Sequence, residues 1–555
     1  MNTQNLTKGA FRRPPEQVTC RLRSFSVSIL ALLTLTCLTA HGQTTYIWQG
    51  GDGDWGDPAK WNQQGLIPSA SSHVLQWTGN TGGTANNDIV GLTANRFQIT
   101  QAGNWTLTGN AVTLASVNQH FGSGTLTMNL PLLFSGNANF SNSSSTLNGV
   151  FALGSNGSIT TASTRDFRLE GIAGNITDTR ITRFQVDGGS MDVGNLILLG
   201  HSNFADRSSE GHFTVNSGSV QSSGIVLGSP HGDAADLSVD NDRIRGVLNI
   251  NDGTVHATGA VGVQFGNSDT QGAGGELNLA GGTLRTNSLI KDNAGSSAAF
   301  NFSGGTLAAY NNDAQIGSAT AAQNVAITLT GSDGVIHSSD TNGVARTLNI
   351  YSAIGEDVAG RGLTFDGDAG GRTVLHADNT FTGLTSLNGG TLLVNGSLAG
   401  DVNVASGATL GGSGTINGGT IQGVLSPGNS IGTLTFDSAL TLAADAEFRF
   451  EFLNSGNHDQ VVGPSLVLPE TGNITLRIVG LDGHTIQEND SFTIFTGDLV
   501  NFDASRITIV NESSWEGGWQ VSEGSLVVTA IPEPGTLVLL GLGGAALALS
   551  KCLRR

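Results

Sequence analysis

The sequence predicts an all-β fold wound as a stacked β-solenoid, and three observations predict it. The first is compositional: Gly fills 80 of 555 positions, 12% of residues are charged and 6% aromatic, yet 38% are apolar. That is too apolar for a disordered polar chain, so the apolar residues must be spread thinly and regularly. The second is a short pattern that recurs as "FQVDGGSM" from Phe184, "FTVNSGSV" from Phe213, "LNINDGTV" from Leu248, "LNLAGGTL" from Leu277 and "FNFSGGTL" from Phe300. Each copy has apolar residues at positions one, three and eight, Gly at six and Ser or Thr at seven. Alternation with a period of two, then a turn residue, reads as a strand, a bend and the next strand. Gly189, Gly218, Gly253, Gly282 and Gly305 suit a bend that a Cβ would obstruct. The third is that no helix-period segment of useful length lies between the copies, whose starts stand 29, 35, 29 and 23 residues apart. Strands at such spacing bury their apolar face on the coil above and below, and stacked Asn or Thr ladders would satisfy polar side chains inside the stack. A β-sandwich array or a propeller is the alternative; unequal spacing and the lack of blade-like aromatic motifs weigh against both.

Taken in order, the first element is an address. Arg12, Arg13, Arg21 and Arg23 precede the apolar stretch "SFSVSILALLTLTCLTA", followed by small residues at Ala40 and Gly42. This is the layout of a secretory signal peptide over 1–42, the apolar part being short for a membrane span. Residues 43–80 follow as a Trp-rich N-terminal cap, "TYIWQGGDGDWGDPAKWN" placing Trp48, Trp55 and Trp61 among Gly and Asp. Two readings stand: an aromatic plug on the first coil, or exposed indoles that stack on sugar and make these three residues glycan contacts.

The solenoid itself is expected over 81–440. Coils of about 22 residues stacked ~4.8 Å apart would give about 16 coils over ~75 Å. Within it, residues 379–436 carry "GGTLLVNG" (Gly389 to Gly396), "GATLGGSGT" (Gly407 to Thr415) and "SPGNSIGTL" (Ser426 to Leu434). This stretch resembles the passenger-associated repeat of autotransporter proteins, a resemblance that implies a right-handed parallel β-helix. The segment 441–528, from "FRFEFLNSGNHDQVV" onward, resembles the β-rich domain that finishes such helices, and would cover an edge that otherwise invites association. No run of ten-residue alternating strands for an outer-membrane barrel follows, so the resemblance supports the shaft and not self-translocation.

The last element, 529–555, holds Pro532, Glu533 and Pro534, an uncharged apolar run giving a transmembrane helix over 535–550, and then Lys551, Arg554 and Arg555. Its apolar part, the fifteen residues from Gly535 to Leu549, reaches about 22 Å at ~1.5 Å each, a thin span against a hydrocarbon core of ~30 Å. The trailing positive charge would stay on the cytoplasmic side, and the prolines keep the strip before the span extended. This tail resembles the PEP-CTERM sorting signal of Gram-negative bacteria. The resemblance makes Pro532, Glu533 and Pro534 the sorting motif, with an exosortase, a membrane-embedded cysteine protease, as the partner that processes the tail. It implies transient anchoring in the inner membrane and delivery to the cell surface, the outer envelope or the extracellular matrix.

Charge and cysteine bound the function. Of 25 basic and 44 acidic residues, five and one lie in 1–42 and three and one in 531–555, leaving 17 against 42 between them. That acidic body repels nucleic acid and anionic lipid, so neither is expected as a partner. Cys20, Cys37 and Cys552 all lie in the end segments, which leaves the body without a disulfide framework or a thiol nucleophile. "GNSIG" (Gly428 to Gly432) has the spelling of a nucleophile elbow around Ser430, but Pro427 precedes it and a strand-like "TLTF" follows where the elbow needs a helix. "GGDGDWGD" is one defective copy of a calcium repeat, and Asp52, Asp54 and Asp57, like Asp233, Asp236, Asp240 and Asp242, read as solvated charge before they read as ligands. The histidines form no His-Glu-x-x-His pair, and Lys60 and Lys291, the body's only lysines, do not follow Gly, against a zinc hydrolase and a P-loop. No cofactor, metal or catalytic residue is therefore expected. The reading is an exported noncatalytic surface or exopolysaccharide-matrix protein, structural or adhesive. Its alternatives are a polysaccharide lyase or hydrolase using Asp240, Arg243 and Arg245, or a noncatalytic glycan-binding protein.

Overall fold

A computed structural model describes residues 44–531 apart from 64–69, 116–117, 121, 143–148, 172–179, 202–207, 230–243, 267–272 and 524–526. The signal peptide expected over 1–42, the span expected over 535–550 and the Asp233 to Asp242 cluster lie outside the described residues. The fold is all-β. Among the described residues, 49 strands form one 46-stranded sheet and one of three strands. Among the described residues the helical content is limited to 3-10 turns, and no helix is long and apolar enough to cross a membrane.

Apart from the antiparallel pairing of Glu447–Asn454 with Asn457–His458, the large sheet is built from three ladders of parallel pairs, each strand pairing with its equivalent one repeat further on. The first ladder begins Thr45–Trp48, Val74–Trp77, Arg96–Ile99 and runs to Glu447–Asn454, Ile474–Gly480 and Ile507–Glu512. The second begins Gly53–Asp54, Gly83–Asn87, Trp105–Gly109, and the third Leu92–Ala94, Val112–Leu114, Pro131–Phe134. Along many strands burial alternates, as in Glu447–Asn454, where Phe448, Phe450 and Phe452 point inward and are at most 1% exposed. That alternation puts one side chain in two on the core.

The repeated octapeptides stack residue on residue. Phe184 pairs with Phe213, Phe213 with Leu248, Leu248 with Leu277, and Leu277 with Phe300. The unequal spacing of the copies does not disturb this register, because the extra residues fall between ladders, chiefly between the first and the second, and also between the third and the first where Ala257 and Gly262 face Ser222 and Gly224. The 35-residue interval, for instance, contains 230–243, between Ser209–Leu227 and Ile244–Ile250. The bend glycines also stack. Gly218, Gly253, Gly282 and Gly305 all have φ between 63° and 90°, a region costly for any residue with a Cβ. A Cβ on Gly253 would lie 2.5 Å from the carbonyl oxygen of Gly218 in the coil before it. In the first copy the left-handed residue is Gly188, φ 101°, one position before the Gly189 that the pattern marks.

The polar ladders form, but on the outside. Asn278 donates to Asn249 Oδ1 and Asn301 to Asn278 Oδ1, both at 2.8 Å, and Asn249 donates to Thr214 at 3.1 Å. All of these residues are half-buried, not inside the stack as expected. The interior behind the octapeptides is mainly apolar; five phenylalanines, Phe140, Phe151, Phe167, Phe184 and Phe213, contact one another with ring centroids 5.0–5.8 Å apart. An amide placed there would need partners that these rings do not offer.

The ladders run across the boundaries expected at 80 and 440. Thr45–Trp48 is already the first rung of one ladder, and parallel pairing persists to Glu512. What differs within 441–528 is a small antiparallel sheet in which Val527–Ile531 lies between Ser491–Thr493 and Gly518–Ser522. It is fastened to the large sheet through Phe492, whose ring lies 5.6 Å from Phe450 and 5.0 Å from Phe452.

Candidate functional site

The tryptophans of the N-terminal segment fold inward. After Trp48 the Gly/Asp-rich stretch turns back on itself: Gln49 N donates to Lys60 O at 2.8 Å, and Asn62 N to Ile47 O at 3.0 Å. Trp61 is thereby bridged antiparallel to Trp48, their rings 5.1 Å apart. Trp55 meets Trp77 of the next coil at 5.6 Å and Trp77 meets Phe97 at 5.2 Å. Trp48 and Trp55 are 0% exposed and Trp61 1%; the indole N–H of Trp48 donates to Gly51 O and that of Trp61 to Trp55 O. The glycan contacts expected at Trp48, Trp55 and Trp61 are thus corrected: no ring face is open to a sugar. The physical reason is that among the described residues no strand pairs with Thr45–Trp48 from the preceding side, and these rings supply the apolar area a neighbour would otherwise give.

The acidic residues of this segment act locally. Asp52 Oδ1 accepts from Thr84 N at 2.7 Å, Asp54 Oδ1 from the Asn86 amide at 2.8 Å, and Asp57 Oδ1 from Ala59 N at 2.9 Å. Among the described residues, no three His, Cys, Asp or Glu side chains converge as metal ligands would.

Of the glycan-enzyme candidates, Asp240 and Arg243 lie outside the described residues, and Arg245 is already committed. Its guanidinium donates to Glu210 at 3.3 Å and to Glu276, joining three coils. Glu210 also accepts from His212 at 2.7 Å, and that hydrogen bond, followed by the nearby positive charges, holds its carboxyl below the usual range against the opposing effect of burial. Ser430 sits exposed in the turn 428–432, where Gly428 exchanges two backbone hydrogen bonds with Gly412, and strand Thr433–Phe436 follows. The helix a nucleophile elbow needs is not there. The cleft beside Ser430 is lined by Arg372, Thr391, Thr409, Asn429 and Glu451 among others, with no histidine.

The turn holding Ser430 is pinned by a residue that the sequence does not single out. Asp459 is 0% exposed; its Oδ1 accepts from Gly432 N at 2.9 Å and its Oδ2 from Glu451 N at 2.8 Å. Burial outweighs these two donors and pushes the carboxyl up to about 8, with the charge of Glu451 adding to the rise and that of Arg449 opposing it. A buried acid raised this far stabilises the fold most below the ordinary carboxylate pKa of ~3.9, and that contribution is lost as pH rises toward about 8. Asp459→Asn turns an amide N–H₂ toward one of the two backbone donors. It is expected to cost about 1–3 kcal/mol, with the gap to the parent protein narrowing between pH 5 and pH 8.5. Urea midpoints of both proteins at the two pH values check it.

At the other end of the chain, the last described strand is Val527–Ile531, central in its small sheet, with Val528 and Ala530 buried. The motif of Pro532, Glu533 and Pro534 follows directly and lies outside the described residues. Residues 530–555 match the family model of the PEP-CTERM protein-sorting motif. Among curated proteins, none matches the chain. The PEP-CTERM motif implies export, processing by an exosortase-type enzyme, and a location at the cell surface or beyond it in bacteria. A fixed strand delivering this motif at its end is the functional feature on which sequence match and structure meet.

Proposed function

We propose that this chain is a noncatalytic component of the bacterial cell surface or exopolysaccharide matrix, structural or adhesive in role, whose tail is removed by an exosortase as the body is released from the inner membrane. The observation that carries the reading is the sorting motif at 530–555 following directly on a body of uninterrupted strand ladders. The body is read as a right-handed parallel β-helix. In support, three ladders repeat in order round each coil, and "GGTLLVNG", "GATLGGSGT" and "SPGNSIGTL" stack with Leu392 on Leu410 and Gly411 on Ser426. This is the stacking that the resemblance to the passenger-associated repeat implies. The noncatalytic role is favoured by what has become of the enzyme candidates: Arg245 is tied into ion pairs, and Ser430 stands in a turn between strands.

The test is to locate the protein and define its termini in native cells. Fractionation is expected to find it outside the inner membrane, and mass spectrometry to find a first residue near 43 and a C-terminus short of 555. A cytoplasmic protein with both end segments intact would overturn the reading, and cleavage of a polysaccharide by the purified body would overturn its noncatalytic part.

A further inference from the structure

On the outer face of the first ladder, a cleft of about 130 Å³ lies beside the turn 428–432. Three consecutive coils place Arg372, Thr391 and Thr409 in one line, since Arg372 pairs with Thr391 and Thr391 with Thr409. Asn429 and Ser430 rise beside them from the turn, and Glu451 closes the cleft. Arg372, Asn429 and Ser430 are exposed, and the two threonines half-buried. Among the described residues, the guanidinium of Arg372, the hydroxyls of Thr391, Thr409 and Ser430 and the amide of Asn429 have no protein partner. Glu451 receives Arg449 on Oε1 alone, which leaves Oε2 free.

We infer that this cleft binds a sugar ring of a neutral polysaccharide. The inference deepens the matrix reading above and rests on it for the choice of ligand. The cleft gathers donors and acceptors in near balance along a line of parallel strands, which suits a ligand made of vicinal hydroxyls. Other chemistries fit worse. An anionic group could pair with Arg372 but would meet Glu451 and a chain of net charge −19, a field that repels polyanions. An amine would meet the uncompensated guanidinium, and an apolar group would leave a cation, a carboxylate and three hydroxyls desolvated without partners. The pinning of Gly432 by Asp459 holds the turn that carries Ser430 and Asn429, so their placement does not depend on the ligand.

The full mature chain is titrated with neutral oligomers of glucose, mannose and galactose, and separately with an oligogalacturonate, by calorimetry at low and high salt. Binding of a neutral oligomer with an affinity little changed by salt is expected. Arg372→Gln should weaken it about tenfold, the effect of losing one charge-assisted hydrogen bond. Arg361→Gln, which removes an arginine already paired with Asp357 at 2.9 Å and outside the cleft, should leave it unchanged. Arg372 makes no ion pair, so its variant is expected to keep the parent's melting temperature. Preference for the uronate, equal weakening by both arginine variants, or no binding of any neutral oligomer would each overturn the inference. A correctly processed surface protein that binds none of the oligomers removes the cleft and spares the matrix reading; a protein retained in the cytoplasm with both ends intact removes the matrix reading itself.

Discussion

Replacing Glu533 by alanine is expected to leave the tail on the chain. Residues 530–555 match the sorting motif, and Glu533 is the one charged residue between its two prolines, whose restricted φ favours an extended strip for a recognising enzyme to read. Loss of that carboxylate removes the only strong acceptor in the strip while the apolar run behind it stays intact. The unprocessed chain should therefore stay in the inner-membrane fraction, and its C-terminal peptides should end at Arg555. The effect is expected to be near complete, because the failure of one obligatory cleavage leaves no second route. Identical C-terminal peptides and fractionation in parent and variant would show that Glu533 is not read. Glu533→Asp, which keeps the charge and shortens the reach, separates loss of charge from loss of fit.

Replacing Phe184 by alanine is expected to cost about 3–5 kcal/mol. Its ring is fully buried, 5.0 Å from Phe140 and from Phe167 and 5.7 Å from Phe213, with which it stacks at 4°. The cavity would open among rigid rings on three coils that cannot collapse into it, since each is held by its own parallel hydrogen bonds. Because coils interact chiefly with their nearest neighbours, the weakening should be local. Hydrogen exchange is expected to speed up most in strands Ala138–Asn142, Phe167–Gly171, Ile181–His201 and Ser209–Leu227, with little change beyond Thr433. A uniform rise along the whole chain would mean that the ladders unfold as one unit, and a loss below 1 kcal/mol in the urea midpoint would mean that the ring cluster is loosely packed.

The five octapeptides were the most legible part of the fold, because period-two alternation and a bend glycine are both written in consecutive residues. Their residue-on-residue register, Phe184 through Phe300, follows from the same spelling. Which copy bends at which glycine was not legible, since "DGG" offers two and only the stacking chooses Gly188. The asparagines were read as polar and stackable, but not which side of the strand they take; Asn249 and Asn278 alternate with Leu248 and Leu277, and that parity does decide it once the inward residues are known. The aromatic plug and the sugar platform made the same demand on Trp48, Trp55 and Trp61, for either use needs large rings near a chain end. Only the return of residues 49–62 across the first coil buries them. The cleft at Arg372 was invisible, as its members come from positions up to 79 apart and meet through ladder register. Asp459 was missed for a related reason: a lone acid beside His458 carries no local sign of burial.

The central place of Val527–Ile531 in its three-stranded sheet has a mechanical consequence. A pull at residue 532, from an enzyme gripping the motif or from any anchor joined there, acts along a strand bonded on both flanks. It pairs over five positions with Gly518–Ser522 and over three with Ser491–Thr493. Both sets of bonds are then loaded together in shear, where peeling from an edge would break them singly. Tension on the tail is thereby shared at once by both flanking strands.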